Sequence, residues 1–290
     1  MIKVTELRKY YGPNMGLEHA TLSINEGEIF GFIGPNGAGK TTLIRILMGL
    51  IDKTSGEASI FGLDCKMDQV GINKDIGYLP SEANFFDDYK VSEVISLYRN
   101  FKFIDEEFMN HMIKQLDINL DKRIHELSFG NKKKIGILVA MMHQPKLLIL
   151  DEPTSGLDPL IQSRFLDLLL ELQKRGSTIF LSSHVLSEVQ KVCNRVALVK
   201  AGKIILVDEV SNLRLKEHKV IRMSPSIKLN LEGIENIKRI NDKTTEFQYH
   251  GDINLLLNAL GKHKLDDIVI NEVSLEEIFL SYYESGQIDV

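Results

Sequence analysis

The chain has 290 residues, 43% of them apolar and 26% charged, the make-up of a globular protein with a core in one large domain or two modest ones. Its 40 acidic and 35 basic residues leave a net charge of −5, which argues against a nucleic-acid surface. Two cysteines, neither in a C-x-x-C pair, exclude a disulfide scaffold and fit a reducing cytoplasm. The first seven residues alternate like a strand and lack the apolar core of a signal peptide. No run approaches the ~18 apolar residues of a membrane span, so work at a membrane requires another chain to cross it. In chain order, residues 2–7 and 20–24 read as strands. Lys9-Tyr10-Tyr11-Gly12-Pro13 between them reads as a turn carrying two aromatics. Such a ring could stack on a purine whatever the base, and it equally fits an ordinary surface tyrosine.

Residues 28–33, short and apolar, predict a buried strand. Gly34-Pro35-Asn36-Gly37-Ala38-Gly39-Lys40-Thr41-Thr42 follows and fits the phosphate-loop pattern G-x-x-x-x-G-K-[ST] at every fixed position. Leu43, Ile44 and Leu47 then fall at helical spacing over 40–48. Strand, glycine loop and helix together suit a polyphosphate. Glycines turn backbone N–H groups inward without Cβ clashes, and the helix points its positive end at the same charges. Lys40 is expected to reach the β- and γ-phosphates, and the Thr41 hydroxyl to ligate Mg²⁺.

Residues 52–63 read as a turn and a short strand, and 76–80 as a strand stopped by Pro80. From Val91 the period changes: Val91, Val94, Ile95, Tyr98 and Phe101 mark one helix face, and Phe108, Met112, Ile113 and Leu116 a second. This helical stretch, about 87–145, interrupts the α/β pattern. Leu127-Ser128-Phe129-Gly130-Asn131 precedes a helix over 132–143. Ser128 suits a helix N-cap, or a second anion site made of a hydroxyl and backbone N–H groups. The run Lys132-Lys133-Lys134 would add positive charge to such an anion site, though a charge run is usually a solvated face.

In Lys146-Leu147-Leu148-Ile149-Leu150-Asp151-Glu152, four apolar residues predict a buried parallel strand with two carboxylates at its C-terminal end. Ligands bind at that end in doubly wound sheets. Asp151 is expected to hold Mg²⁺ from the far side, and Glu152 to polarise a water aimed at the γ-phosphate. A turn at 153–159, a helix over 160–174 and a strand over 178–182 follow. Ser183-His184 ends that strand on the same sheet edge as Glu152, which favours a γ-phosphate contact for His184. A hairpin of 195–199 and 203–207 about Ala201-Gly202 closes the domain. Beyond 213 come a charged linker helix, short strands at 220–223, 237–240, 245–250 and 267–270, and helices at 253–262 and 275–281. This reads as a small α+β accessory domain without a cluster of chemistry-bearing residues.

Together these residues resemble the ATP-binding cassette (ABC) family over about 1–210. The loop at 34–42 is similar to its Walker A, and Leu147 to Asp151 with Glu152 to its Walker B and catalytic glutamate. Leu127 to Asn131 is similar to the signature L-S-G-G-Q, with Phe129 and Asn131 as departures. Ser155 to Asp158 resembles the loop that crosses to the partner subunit, His184 the switch histidine, and Tyr11 the aromatic that stacks on adenine. The resemblance implies an α/β phosphate-loop NTPase core with an antiparallel β subdomain and a helical subdomain over 1–212, followed by a small C-terminal α+β domain over 213–290. It implies ATP and Mg²⁺ as ligands and a head-to-tail homodimer or heterodimer in which Ser128 and Gly130 of one subunit and Lys40 of the other grip one ATP.

The tail, chiefly Ser274-Leu275-Glu276-Glu277-Ile278-Phe279, resembles ATPase subunits of ABC-2-type exporters of Gram-positive bacteria. Those subunits sit peripherally on the cytoplasmic face of the cell membrane and drive drugs, lipids or amphipathic peptides through a separate permease. One departure stands out: the family's glutamine after Pro80 is Ser81 here, and Glu82 follows. Ser81, Glu82 shifted by one residue, or a water is left to meet the Mg²⁺. The competing class, a soluble cassette ATPase acting on nucleic acid or ribosomes, typically carries two cassettes or a long coiled coil. This chain has one cassette, no sustained heptads and an acidic balance. A phosphate-loop kinase would need no loop like Leu127 to Asn131.

Overall fold

The computed structural model describes residues 1–101, 103–215, 219–227 and 229–272. The chain divides into two compact units, Met1–Glu209 and Val210–Val290. In the first unit, β1 (Ile2–Tyr11), β2 (Asn14–Ile24), β4 (Ser55–Ile60) and β5 (Leu63–Asp64) form an antiparallel sheet in the order β2-β1-β4-β5. Alternating burial along β2, ending Leu17, Ala20, Leu22, Ile24 inward, marks one face toward the core. The strands run further than the sequence suggests. Tyr10 and Tyr11 belong to β1, with Tyr11 paired to Asn14, and only Gly12 and Pro13 turn the chain. Register shifts interrupt the β1–β2 pairing between Val4 and Leu7, Leu7 and Lys9, and Lys9 and Tyr10.

The second sheet contains β3 (Ile29–Ile33), β6 (Ile76–Leu79), β7 (Leu147–Asp151), β8 (Thr178–Ser183), β9 (Arg195–Lys200) and β10 (Lys203–Glu209), in the order β10-β9-β3-β8-β7-β6. Strands β9, β3, β8, β7 and β6 are parallel, and β10 adds an antiparallel edge. Both faces are covered, so β3, β7 and β8 are buried at every position and read as unbroken apolar runs. Phe30, Phe32 and Phe180 meet at their centre; truncating such a buried ring costs about 3–5 kcal/mol.

Helix α1 (Lys40–Leu47) follows β3, and a short α2 (Gln69–Asn73) precedes β6. The helical stretch holds α3 (Val91–Arg99), α4 (Glu106–Gln115), a 3-10 turn (Ile124–Glu126) and α5 (Phe129–Met141). The α4 cap is Asp105, whose carboxylate accepts from the N–H groups of Glu107 and Phe108. Helix α6 (Pro159–Lys174) starts with Asp158 accepting from the Ile161 N–H and with proline in the first turn. Helix α7 (Leu186–Val192) lies between β8 and β9. The lysine run does not form a solvated face: Lys133 is 1% exposed and Lys134 8%, because α5 is packed on nearly all sides.

The second unit begins with α8 (Val210–Leu215). Its antiparallel sheet has β11 (Lys219–Ser224), β12 (Ile234–Arg239), β13 (Thr245–Tyr249) and β14 (Asp267–Glu272) in the order β12-β13-β11-β14, with α9 (Ile253–Leu260). Ile221, Met223, Phe247 and Tyr249 of the sheet pack with Leu256 and Leu260 of α9. The expected helix at 275–281, with the motif at 274–279, lies outside the described residues.

Candidate functional site

Parallel pairing assembles the site. Register sets Ile33 beside Ser183 and Asp151 beside Ser182, so β3, β7 and β8 end at one sheet edge. The glycine loop leaves that edge and opens α1. Gly39 has φ +104°, and a Cβ there would meet the Gly16 carbonyl oxygen at 2.5 Å, so only glycine fits. It caps α1 without a side-chain hydrogen bond, and no acidic residue stands in the first turn. The first amides of α1 therefore point outward with a positive dipole end, as an anion requires.

Lys40 is buried at 6% exposure. Its ammonium donates to the Gly34 carbonyl at 2.6 Å and the Pro35 carbonyl at 3.2 Å, and it pairs with Glu152 Oε1 at 3.1 Å. The other Glu152 oxygen, Oε2, lies 2.6 Å from His184 Nδ1. Glu152 sits at φ +49°, a left-handed conformation unusual for glutamate, and its N–H donates to the Ser182 carbonyl at 3.2 Å. Asp151 is 1% exposed. Its Oδ1 accepts from the Ser182 hydroxyl at 2.7 Å, while the buried Oδ2 has no hydrogen-bond partner among the described residues.

A cavity of about 410 Å³ opens here, lined by Tyr11, Met15, Gly16, Asn36, Gly37, Gly39, Lys40, Thr41, Thr42, Ser81 and Glu152. Of the two tyrosines only Tyr11 lines it, with the ring 45% exposed and the Lys9 ammonium 4.9 Å from its centroid. Gly34 and Ala38 are buried under the loop, and Pro35 is exposed but outside the lining. Glu82 is not part of the lining, whereas Ser81 is. Ser128 and Gly130 lie elsewhere: Ser128 caps α5, accepting from the Asn131 N–H at 3.4 Å. A Cβ on Gly130 would meet the Gly156 carbonyl oxygen at 2.4 Å, so the α5 entrance packs against the turn after Glu152.

Two groups around the site carry no motif. Glu188 of α7 is 6% exposed and accepts from the Thr154 hydroxyl at 2.8 Å. Burial raises its pKa, with the Glu152 charge adding to the effect and the Thr154 bond and His184 opposing it. Lys133 donates to the carbonyls of Ser81 at 2.7 Å and Pro80 at 3.3 Å. Burial lowers its pKa to about 8, against the pull of Asp151, Glu152 and Glu82. His184 lies before α7 begins, so no helical spacing links it to Glu188, and no local pattern in the sequence marks Glu188.

Among the described residues no group of three or more His, Cys, Asp or Glu side chains is arranged to hold a metal ion. Magnesium needs none: it commonly takes one or two protein oxygens and completes its shell with water and phosphate. The unpartnered Asp151 Oδ2, next to a loop built for phosphate, fits that requirement.

A glycine loop opening a helix, with a carboxylate pair at the end of a parallel strand of the same sheet, defines a phosphate-loop NTPase of the α/β class. The ABC transporter family matches residues 17–155. An uncharacterized ABC transporter ATP-binding protein of Methanocaldococcus jannaschii is 34% identical over 290 residues, covering 96% of this chain and 98% of that one. The bacitracin transport ATP-binding protein BcrA of Bacillus licheniformis is 36% identical, covering 78% and 75%. The lantibiotic transport ATP-binding protein SrtF of Streptococcus pyogenes is 33% identical, covering 72% and 91%. A solved ATP-binding subunit of an ABC transporter superposes with a TM-score of 0.68 at 26% identity, covering 74% of this chain and 92% of that one. The chain belongs to the ABC transporter family, as an ATP-binding and ATP-hydrolysing subunit. Among its described residues no helix is long and apolar enough to cross a membrane.

Proposed function

We propose that the chain is the ATPase of an exporter, seated on the cytoplasmic face of the membrane against a separate ABC-2-type permease, and that its cargo is an amphipathic peptide. The observation that carries this reading is the similarity to the bacitracin and lantibiotic transport subunits across most of the chain. In this reading Tyr11 stacks on adenine, and the amides of the 34–42 loop with Lys40 hold the phosphates. Thr41 and Asp151 hold Mg²⁺, with Ser81 or Glu82 on its remaining side. Held there, the ion would supply positive charge against the negative charge that develops on the phosphates. Glu152 orients and deprotonates the attacking water, and His184 contacts the γ-phosphate.

The contact of Glu152 Oε2 with His184 at 2.6 Å supports the placing of the two side chains on one phosphate. Ser128 and Gly130 lie outside the cavity of their own chain, which suits a role in a head-to-tail dimer on the partner's ATP. The test is co-purification of the tagged full chain from membranes, followed by ATPase measurements with bacitracin or a lantibiotic added. A hydrophobic membrane-spanning chain should come with it, and peptide should stimulate turnover. Recovery with ribosomes or nucleic acid instead would favour the soluble-cassette reading.

A further inference from the structure

Lys133 has no place in the nucleotide chemistry above, yet it is among the most buried charged groups of the described chain, at 1% exposure. Burying an ammonium is unfavourable unless its donors are used, and methionine would fill the same space without that cost. Its donors go to one place: the carbonyl oxygens of Ser81 at 2.7 Å and Pro80 at 3.3 Å. Those carbonyls lie just past the end of β6, where no ladder partner is supplied.

Successive positions on the same face of α5 hold this segment. A Cβ on Gly136 would stand 2.7 Å from Leu79 Cδ1 and 2.9 Å from Ala83 Cβ, and a Cβ on Gly77 would stand 2.0 Å from the Ala140 carbonyl oxygen. Helix α5 therefore lies in close contact with β6 and its continuation from Gly77 to Ala83. At the end of this seam the Lys133 stem folds down onto the turn that brings Ser81 to the cavity.

We infer that Lys133 is a positioning residue: through the Pro80 and Ser81 carbonyls it ties the turn carrying Ser81 and Glu82 to α5, and so fixes that turn against Asp151 and Glu152. The inference rests on the reading of Ser81 or Glu82 as a neighbour of Mg²⁺. It requires donors at position 133 and not a charge as such, so glutamine should serve where methionine does not.

The test uses the full chain with Lys133→Met and Lys133→Gln. Three quantities are compared with wild type: Kd for a fluorescent ATP analogue, steady-state kcat and KM for ATP, and hydrogen exchange of the 81–83 amides without nucleotide. Losing hydrogen bonds made by a charged group predicts, for Lys133→Met, kcat down about tenfold or more, 81–83 exchange up by a similar factor, and Kd within about threefold. Lys133→Gln should recover most of both losses. The inference is overturned if the methionine variant turns over within about twofold of wild type. Equal losses in the two variants, or acceleration of exchange throughout α5 and β7, would overturn it as well, since either marks a packing role. Failure of the metal reading looks different. Ser81→Ala and Glu82→Ala would then both hydrolyse ATP normally, and the tether would still stand or fall on the exchange rates and the methionine–glutamine contrast.

Discussion

Glu152 combines three features: a left-handed backbone, an ion pair from Oε1 to Lys40 and a 2.6 Å contact of Oε2 with His184. Glu152→Gln keeps the shape and removes the basicity. It should lower ATP hydrolysis by ~10²–10⁴-fold, since that is what a general base contributes, while ATP binding survives because the loop amides, Lys40 and Thr41 are untouched. A variant that hydrolyses at the wild-type rate would falsify the role. Tyr11 makes a separate claim on affinity. Base–aromatic stacking is worth ~1–3 kcal/mol, so Tyr11→Ala should weaken nucleotide binding by roughly tenfold or more, with Tyr11→Trp tolerated. A fluorescence titration decides it, and normal binding by the alanine variant would remove Tyr11 from the adenine site. At this scale the ligand-facing residues are legible because their spacing is local: Gly34 to Thr42 is one turn, and Asp151-Glu152 closes one strand. Glu188 and Lys133 are not. Each is defined by a partner far along the chain, Thr154 for one and Ser81 for the other, and neither bond leaves a local mark.

Elements were readable where one force dominates. The parallel strands are buried on both faces and announce themselves as apolar runs, and α4 shows through the spacing of Phe108, Met112 and Leu116, all buried. Helix α7, only seven residues long, lacks the length for a period to show. The lysines of α5 mislead because burial there is imposed by β6 and the segment after it, not by composition. Two tests belong to elements. The turn after β6 should govern turnover more than affinity: Glu82→Ala should slow hydrolysis in the assembled transporter with ATP binding nearly intact. Unchanged turnover would leave Ser81 or a water in the role. The second concerns α7, held to the turn after Glu152 by the Glu188–Thr154 bond. A carboxyl whose pKa is raised on folding binds its proton more tightly in the folded chain. Its contribution is therefore favourable at low pH and lost as pH rises through the folded pKa. Glu188→Gln can keep the Thr154 bond and has no charge to bury. Its thermal midpoint relative to wild type should rise between about pH 5 and about pH 8. A difference that stays flat with pH would mean Glu188 is not burdened by burial.

At the scale of the molecule the chain divides into two units, and among the described residues each holds a core cluster of its own. The first core joins β1, β2 and β4 to α1 and the parallel sheet through residues such as Leu17, Phe32, Leu43 and Phe180, all of them before Glu209. The second consists of Ile221, Met223, Phe247, Tyr249, Leu256 and Leu260, with partly buried apolar neighbours from the same unit. Each polar group assigned to nucleotide also precedes Glu209: the loop, the β7 carboxylates, Tyr11, and Ser128 at the α5 cap. A chain ending at Glu209 keeps β10, which pairs with β9 from Lys203 to Glu209 with one register shift and forms the sheet edge outside β9. Such a truncation should remain folded, because no strand of the parallel sheet is lost and small cores like that of the second unit supply only ~3–5 kcal/mol on their own. It should bind a fluorescent ATP analogue with a Kd within about threefold of the full chain. Circular dichroism establishes that the shortened protein is folded, and the titration is then decisive. A folded Met1–Glu209 chain that fails to bind would mean that the second unit contributes to the nucleotide site, and the division of labour between the units would have to be redrawn.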